Sequence, residues 1–112
     1  MKTSNYWTIG KDNSKAVSIA GRAPDWYSGR EYKKLAPKLR FFKKYKKDGD
    51  KEYYTEQYYK EVLNKLDPKK VYEELGEDAI LLCHEKPNQF CHRHIVSKWL
   101  NQKLGLKITE LK

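Results

Sequence analysis

The feature that most constrains the fold is a short apolar run that leads through a turn into a helical segment. The run covers Ala79 to Cys83, and its length and composition are typical of a buried strand. A Pro87-Asn88 turn signal follows, and from Gln89 to Leu104 the apolar residues recur at helical spacing until Gly105 ends the segment. A strand joined to a helix in this way, with a further strand after it, predicts a right-handed parallel crossover.

The rest of the chain adds predicted elements of both kinds. Strands are predicted over Tyr6 to Ile9, Ala16 to Ala20 and Lys107 to Leu111, and helices over Pro37 to Lys47, Tyr54 to Leu66 and Pro68 to Leu75. A length of 112 residues suits one domain over residues 1–112. We therefore expect a small α/β sandwich with a mainly parallel sheet flanked by helices.

Composition excludes several classes of protein. Hydrophobic residues make up 38% of the chain and charged residues 35%, which is typical of a folded protein rather than a disordered one. No segment approaches the roughly 20 apolar residues of a membrane span, so we expect no membrane partner and a cytoplasmic location. The two cysteines form no disulfide framework and, beside histidines, indicate free thiols or ligands.

Positive charge is concentrated in one part of the chain. The formal net charge is +9, and residues 28–47 contain nine cations against the single anion Glu31. Such a block predicts a polyanionic partner, nucleic acid first, although a solvated basic face would look the same. On a helical wheel the aromatic side chains of this segment lie opposite four cations, which we assign to a nucleic-acid surface: Arg40, Lys43, Lys44 and Lys47.

The strongest candidate site follows the apolar run, because both cysteines and all three histidines lie there. Cys83 would end a strand at the carboxyl edge of the sheet, where parallel α/β folds bind ligands. Cys91, His92 and Arg93 would occupy the first helical turn, whose N–H groups favour anions and the ionised form of a thiol. The predicted catalytic residues are Cys83, Glu85, Cys91 and His92, with Arg93 as the anion-binding residue.

Structural alternatives exist for each of these residues. Cys83 could be a small core residue, His92 a core histidine bonded to a backbone carbonyl, and Arg93 the ion-pair partner of Glu85. His94 falls on the polar face and is expected to face solvent. A zinc site is disfavoured, because the Cys-x7-Cys spacing is not that of a compact zinc knuckle and Cys83 and His84 would point to opposite faces of a strand. We therefore predict neither a metal nor a cofactor.

A second constellation occupies the loop after the predicted strand Ala16 to Ala20. Trp26 could stack on a base while Arg22 or Arg30 meets a phosphate, if this loop opens on the same edge as Cys83. Trp26 could instead cap the core, or the loop could dock a protein partner, because aromatics with arginine also mark interfaces.

The chain resembles a known family at several of these positions. Ile80-Leu81-Leu82-Cys83-His84-Glu85, Phe90-Cys91-His92-Arg93 and Trp99-Leu100 are similar to the C-terminal signature of domain of unknown function family 488. Val17-Ser18-Ile19-Ala20, Pro24-Asp25-Trp26 and Leu35-Ala36-Pro37-Lys38 are similar to the N-terminal pattern of one branch of it. The resemblance implies a small α/β sandwich of bacteria and their phages but no established activity.

Two functions from different classes follow. The first is a nucleic-acid- or nucleotide-associated domain with an anion-binding Cys/His/Arg pocket at the sheet's carboxyl edge, with or without a thiol- or histidine-dependent reaction. The second is a non-catalytic module that binds a protein partner; a Cys/His metal-binding protein is a further alternative.

Overall fold

The computed structural model describes residues 1–86 and 88–111, which form five strands and five α-helices. The strands are β1 (Lys2–Asn5), β2 (Ala16–Ser18), β3 (Arg30–Glu31), β4 (Ile80–Cys83) and β5 (Thr109–Glu110). The helices are α1 (Tyr6–Ile9), α2 (Leu39–Asp48), α3 (Lys51–Glu61), α4 (Pro68–Leu75) and α5 (His92–Leu104). Part of the predicted Pro87-Asn88 turn lies outside the described residues.

All five strands run parallel in the order β3-β2-β4-β1-β5, which confirms the predicted α/β class. The central strand β4 lies between β1, where Cys83 is opposite Asn5, and β2, where Leu82 is opposite Ser18. From β2 the chain passes outward to β3, whereas from β4 it passes to β5 at the other edge. The connections of these neighbouring strands therefore diverge, which makes their carboxyl ends a topological switch point, where parallel sheets bind ligands.

The alternation of side chains along β4 divides the core into two clusters. Leu81 packs in the larger cluster, to which α2, α3, α4 and α5 all contribute buried residues. Ile80 and Leu82 point to the opposite face, where they meet Tyr6 and Ala16 in a smaller cluster that also contains both cysteines. The candidate residues at the end of β4 thus lie beside the smaller cluster.

The best predicted element is α4, whose two ends agree with the sequence signals. The Asp67 carboxylate accepts the N–H of Lys69 at 3.0 Å, and Pro68 occupies the first turn. Gly76 ends the helix at a positive φ of 94°. The strand prediction around Leu81 is also confirmed.

The prediction for the N-terminus is wrong, since Tyr6 to Ile9 form the helix α1 rather than a strand. The Asn5 side chain accepts the N–H groups of Trp7 and Thr8 at 3.1 and 3.0 Å, and this cap outweighs the strand propensity of the aromatic residues. The missed strand is β1, which is polar in composition. Its buried Thr3 hydroxyl is satisfied by Glu110 at 2.6 Å, a partner that local sequence could not indicate.

Other elements differ from prediction at their ends. Helix α3 begins at Lys51 rather than at Tyr54, because the Asp50 carboxylate caps it through the N–H of Tyr53 at 3.0 Å. Helix α5 begins at His92 rather than at Gln89, with Cys91 as its N-cap residue. Among the described residues, no helix has the length and apolar character needed to cross a membrane.

Candidate functional site

A pocket of about 730 Å³ opens at the switch point between β2 and β4. Its wall is built from the loop after β2, the end of β4, the start of α5 and one side of α2. The polar and sulfur-bearing side chains that line it are Arg22, Asp25, Lys46, Cys83, His84, Glu85, Cys91 and His92. All four predicted catalytic residues therefore line one pocket together with Arg22, which is predicted to contact a phosphate. The chemical roles assigned to them stay predictions.

The floor of the site consists of Cys83, Cys91, His92 and Arg93, all of them buried. Cys83 ends β4 and Cys91 precedes α5, and the two residues are joined by a disulfide across a separation of 8 positions. The prediction of free thiols is therefore wrong for this form of the protein. Strand β4 ends and helix α5 begins at the switch point, and this brings the two sulfur atoms together.

Arg93 lies beneath the pocket with no exposed surface. Its Nε and Nη2 groups donate to the Glu110 carboxylate at 3.1 and 2.7 Å, and its Nη1 group donates to the Sγ atom of Cys83 at 3.0 Å. Burial raises the pKa of Glu110, but the hydrogen bonds from Arg93 and Thr3 lower it by more, so the net pKa is below its ordinary value. The pair is therefore ionised, and it places a positive group against the sulfur.

This geometry differs from both sequence interpretations of Arg93. The residue does not line the pocket, and the acidic residue that it pairs with is Glu110 on β5 rather than Glu85. Its hydrogen bonds run to protein groups, so the anion-binding role predicted for Arg93 has no support from its position. Contact with a sulfur atom makes Arg93 a residue that positions and stabilises the floor.

His92 is held in one tautomer. Its Nε2 atom is 2.7 Å from the carbonyl oxygen of Ile19, which only accepts, so Nε2 carries the proton. Burial lowers the pKa of His92 to about 4, so the ring is neutral near pH 7. The unprotonated Nδ1 atom is directed at the Sγ atom of Cys91, 3.7 Å away. His92 thus presents a lone pair to the floor, a geometry suited to a base or to a metal ligand.

Glu85, His84 and His94 have separate environments. Glu85 is half-buried in the pocket wall, with an oxygen 3.8 Å from the Nζ atom of Lys46. His84 donates from Nε2 to the carbonyl of Arg22 at 2.7 Å, which ties the loops after β2 and β4 together. His94 is half-buried, and its buried Nε2 has no partner among the described residues, so the prediction that it faces solvent is wrong.

The rim of the site consists of Arg22, Lys46, Trp7 and Trp26, all of which are exposed. Arg22 and Lys46 line the pocket, and the exposed fractions of Trp7 and Trp26 are 65% and 42%. The two indole rings lie 5.7 Å apart, and Trp7 is 6.3 Å from the pocket residue His84. The loop after β2 opens on the same edge as Cys83, because β2 and β4 are parallel and both Arg22 and Cys83 line the pocket, although Trp26 itself does not line it.

Sequence reasoning missed two rim residues. Trp7 was assigned to a strand, but the Asn5 cap signal two positions earlier could have indicated a helix start that exposes it. Lys46 lies apart from the predicted cationic face, and its Nζ atom is 5.2 Å from the ring of Phe42 one turn earlier. The i, i+4 spacing of Phe42 and Lys46 indicates that the two side chains lie on the same side of the helix, and this could have placed Lys46 beside Phe42.

Arg30 does not belong to the pocket. Its guanidinium donates to the carbonyl oxygens of Leu75 and Glu74 at 3.0 and 2.9 Å, where α4 ends. A cation at a helix C-terminus satisfies carbonyl groups that lack partners within the helix. The ligand-binding role predicted for Arg30 therefore has no support from its position.

The predicted nucleic-acid surface on α2 is exposed but lies outside the pocket lining. Arg40 pairs with Glu61 at 3.0 Å and Lys44 with Asp48 at 2.6 Å. For Lys43 and Lys47 no ion pair is found among the described residues. Half of this surface is thus already neutralised by its own chain, and the binding role of all four residues stays a prediction.

One group of three metal-ligand side chains occurs in the described part of the chain: Cys83, Cys91 and His92, whose ligand atoms lie within 4.8 Å of one another. The floor therefore offers sulfur and imidazole donors, and the rim offers cations and exposed rings. No curated protein and no solved structure matches the chain. A sequence family described as the active DUF488-N3 subclade matches residues 2–104, most of the chain, and the protein therefore belongs to the DUF488 family.

Proposed function

We propose that the pocket binds a nucleotide, either free or within a nucleic-acid strand, against a reactive floor built around Cys83. One observation carries this proposal: one pocket at the switch point joins the cations Arg22 and Lys46 to a buried sulfur that an arginine contacts, with the exposed ring of Trp7 6.3 Å from the pocket residue His84. Its volume of about 730 Å³ lies within the roughly 300–1,000 Å³ of pockets for small ligands.

The rim supplies recognition in this proposal. Arg22 and Lys46 bind the phosphate in place of Asp25 and Glu85, with which they form long ion pairs of 3.8 Å. The net charge of +9 attracts a polyanion from a distance. Trp7 and Trp26 provide the rings on which a base stacks, which requires no particular base. A nucleic-acid strand could extend from the pocket along the α2 surface of Arg40, Lys43, Lys44 and Lys47.

The floor supplies the chemistry. After reduction of the disulfide, the Arg93 N–H group stabilises Cys83 as a thiolate, the form that acts as nucleophile or metal ligand. The Nδ1 atom of His92 accepts a hydrogen bond from the Cys91 thiol, and Glu85 serves as acid or base at the pocket wall. The matching subclade is described as active, which supports a chemical role.

Fluorescence titration of the reduced protein with adenosine monophosphate and with an oligodeoxythymidylate tests the binding step. The double variant Arg22→Glu, Lys46→Glu is expected to weaken both affinities at least about tenfold, since it reverses two charges at the phosphate position. The matched control is Lys103→Glu with Lys107→Glu: Lys103 lies in the last turn of α5, about 18 Å along the helix from Cys91, and neither residue lines the pocket. Equal affinities of the rim variant and the wild type would contradict the proposal.

A protein partner is the second candidate, and the exposure of the tryptophan pair favours it. Trp7 and Trp26 expose 65% and 42% of their surfaces, which is typical of interface anchors. Salt separates the two candidates. For a nucleic acid, the logarithm of the binding constant is expected to fall linearly with the logarithm of the salt concentration. For a protein partner held by aromatic side chains, the affinity is expected to change little with salt.

A further inference from the structure

We propose that the reduced protein binds one zinc-class divalent ion through the Sγ atoms of Cys83 and Cys91 and the Nδ1 atom of His92. These three atoms are buried and lie within 4.8 Å of one another. Thiolate and imidazole are the donors that zinc prefers. The 3.7 Å between the Sγ atom of Cys91 and the Nδ1 atom of His92 matches the roughly 3.5–3.8 Å between two ligands of a tetrahedral ion with bonds of about 2.0–2.3 Å, and reduction frees the two sulfurs to separate to such a distance. The proposal does not depend on nucleotide binding.

The hydrogen bond of His92 prepares it for this role. Metal-bound histidines commonly donate their other ring N–H to a carbonyl or carboxylate, which fixes the ring and the tautomer. His92 does this through Nε2, which donates to the Ile19 carbonyl at 2.7 Å, and so leaves the Nδ1 lone pair directed at the sulfur of Cys91. A core histidine needs no such orientation toward sulfur.

The backbone positions also suit an ion. The Cα atoms of Cys83 and Cys91 are 7.4 Å apart, a separation that two cysteines bridged by a metal readily span. The ion and the disulfide exclude each other. A thiol reductant supplies two electrons and two protons to give two thiols, and binding of the ion then releases both thiol protons to water.

Charge balance favours the ion in the reduced floor. Two thiolates contribute two negative charges, which the divalent ion cancels. Arg93 is already balanced by Glu110 at 2.7 Å, so the whole floor becomes neutral when the ion is bound. Buried charges are costly unless they are compensated, and among the described residues Arg93 is the only cation that donates a hydrogen bond to either sulfur.

Three protein ligands leave a fourth position, and this position faces the pocket, because all three ligand residues line it. His84 does not fill it, since among the described residues the clustered ligand atoms belong only to Cys83, Cys91 and His92. Zinc sites that take part in reactions keep such an open position for water or substrate, whereas structural sites fill it with a fourth protein ligand. The floor is therefore a candidate reaction-type metal centre.

Cobalt titration of the protein reduced with a phosphine tests the site. We expect saturation at one equivalent, a thiolate-to-cobalt charge-transfer band, the visible spectrum of tetrahedral cobalt, and displacement by zinc. His92→Ala is expected to weaken cobalt binding at least about tenfold, while the matched control His84→Ala binds like the wild type. In the wild type, zinc is expected to slow alkylation of both Cys83 and Cys91, as read by mass spectrometry.

The wild-type alkylation measurement decides the matter even if His92→Ala fails to fold. Unchanged alkylation of both cysteines in excess zinc, or a cobalt spectrum without charge transfer from sulfur, would overturn the proposal. A spectrum lost in His84→Ala and retained in His92→Ala would overturn it as well. Nucleotide titration of the metal-free protein is a separate measurement. Failure of the metal site would therefore leave the proposed nucleotide binding to be decided by that titration.

Discussion

The floor and the rim of the pocket differ in how firmly their side chains are held. On the floor, Arg93 is bound to Glu110 and to Cys83, and His92 is bound to Ile19, so both side chains are held by partners inside the protein. On the rim, Arg22 and Trp26 are exposed, and the ion pair of Arg22 with Asp25 is long at 3.8 Å. A fixed floor suits the proposed chemistry, and exposed charges suit the proposed recognition of a phosphate.

The largest expected effect comes from breaking the floor at Arg93. The Arg93→Met change leaves the mostly buried Glu110 carboxylate without its partner, and we expect a loss of about 3–4 kcal/mol in the free energy of unfolding. Urea unfolding measures this. The control Arg22→Met, at the rim, is expected to change stability by less than about 0.5 kcal/mol. Similar small losses in both variants would erase the distinction between floor and rim.

Acid is expected to act through His92 in the metal-free, disulfide-bonded protein. The folded pKa of about 4 lies below the usual value of 6.5, so between these values the unfolded chain binds a proton that the folded chain does not. The contribution of His92 to the free energy of unfolding is therefore fully present above pH 6.5. It is lost as the pH is lowered toward 4, by about 3 kcal/mol in total.

Urea unfolding as a function of pH measures this loss. His92→Gln is expected to flatten the curve in that range, whereas His84→Gln, at an exposed residue, keeps the wild-type slope. A wild-type slope in His92→Gln would show that other groups cause the acid sensitivity.

The location of the site could be predicted from sequence because its signals are local. An apolar strand ending in Cys83 and a helix beginning near Cys91 suffice to place both residues at the carboxyl edge of a parallel sheet. The partners of these residues could not be predicted, since Glu110 and Ile19 come from distant strands. The Cys-x7-Cys spacing does not match a compact zinc knuckle. In the structure, however, the end of β4 and the start of α5 bring Cys83, Cys91 and His92 to one point.

The N-terminal error has a similar cause. Tyr6 and Trp7 have high strand propensity, but the side chain of Asn5 caps their N–H groups and turns the chain into α1. The exposure of Trp7 follows from that turn. A single capping residue thus decided whether one of the two exposed tryptophans belonged to the core or to the rim.

At the rim, Trp26→Ala is expected to weaken nucleotide affinity by about 1–2 kcal/mol, or roughly tenfold, and to leave the unfolding free energy nearly unchanged. Loss of a stacking ring explains the effect, so Trp26→Phe is expected to restore most of the affinity. Isothermal titration calorimetry measures both affinities, because its signal does not depend on the fluorescence of the tryptophan that is removed. If Trp26→Phe binds as weakly as Trp26→Ala, stacking is not the interaction.

The smallest effect is expected on the α2 surface, where ion-paired and unpaired cations can be compared. Lys43→Glu with Lys47→Glu is expected to reduce the salt dependence of DNA binding by about one unit of slope per lost phosphate contact. Arg40→Glu with Lys44→Glu is expected to have less effect, because Glu61 and Asp48 already neutralise those cations. Retention on heparin and circular dichroism provide the measurement and the folding control; equal retention of both variants and the wild type would remove α2 from the binding surface.

The most direct test of the account asks whether floor and rim form one site. The rate at which Cys83 is alkylated is measured in the reduced, metal-free protein with and without saturating nucleotide. Bound nucleotide is expected to slow this reaction in proportion to occupancy, since Arg22, Lys46 and Cys83 line the same pocket. An unchanged alkylation rate at full occupancy would show that the nucleotide binds elsewhere and that floor and rim are not one site.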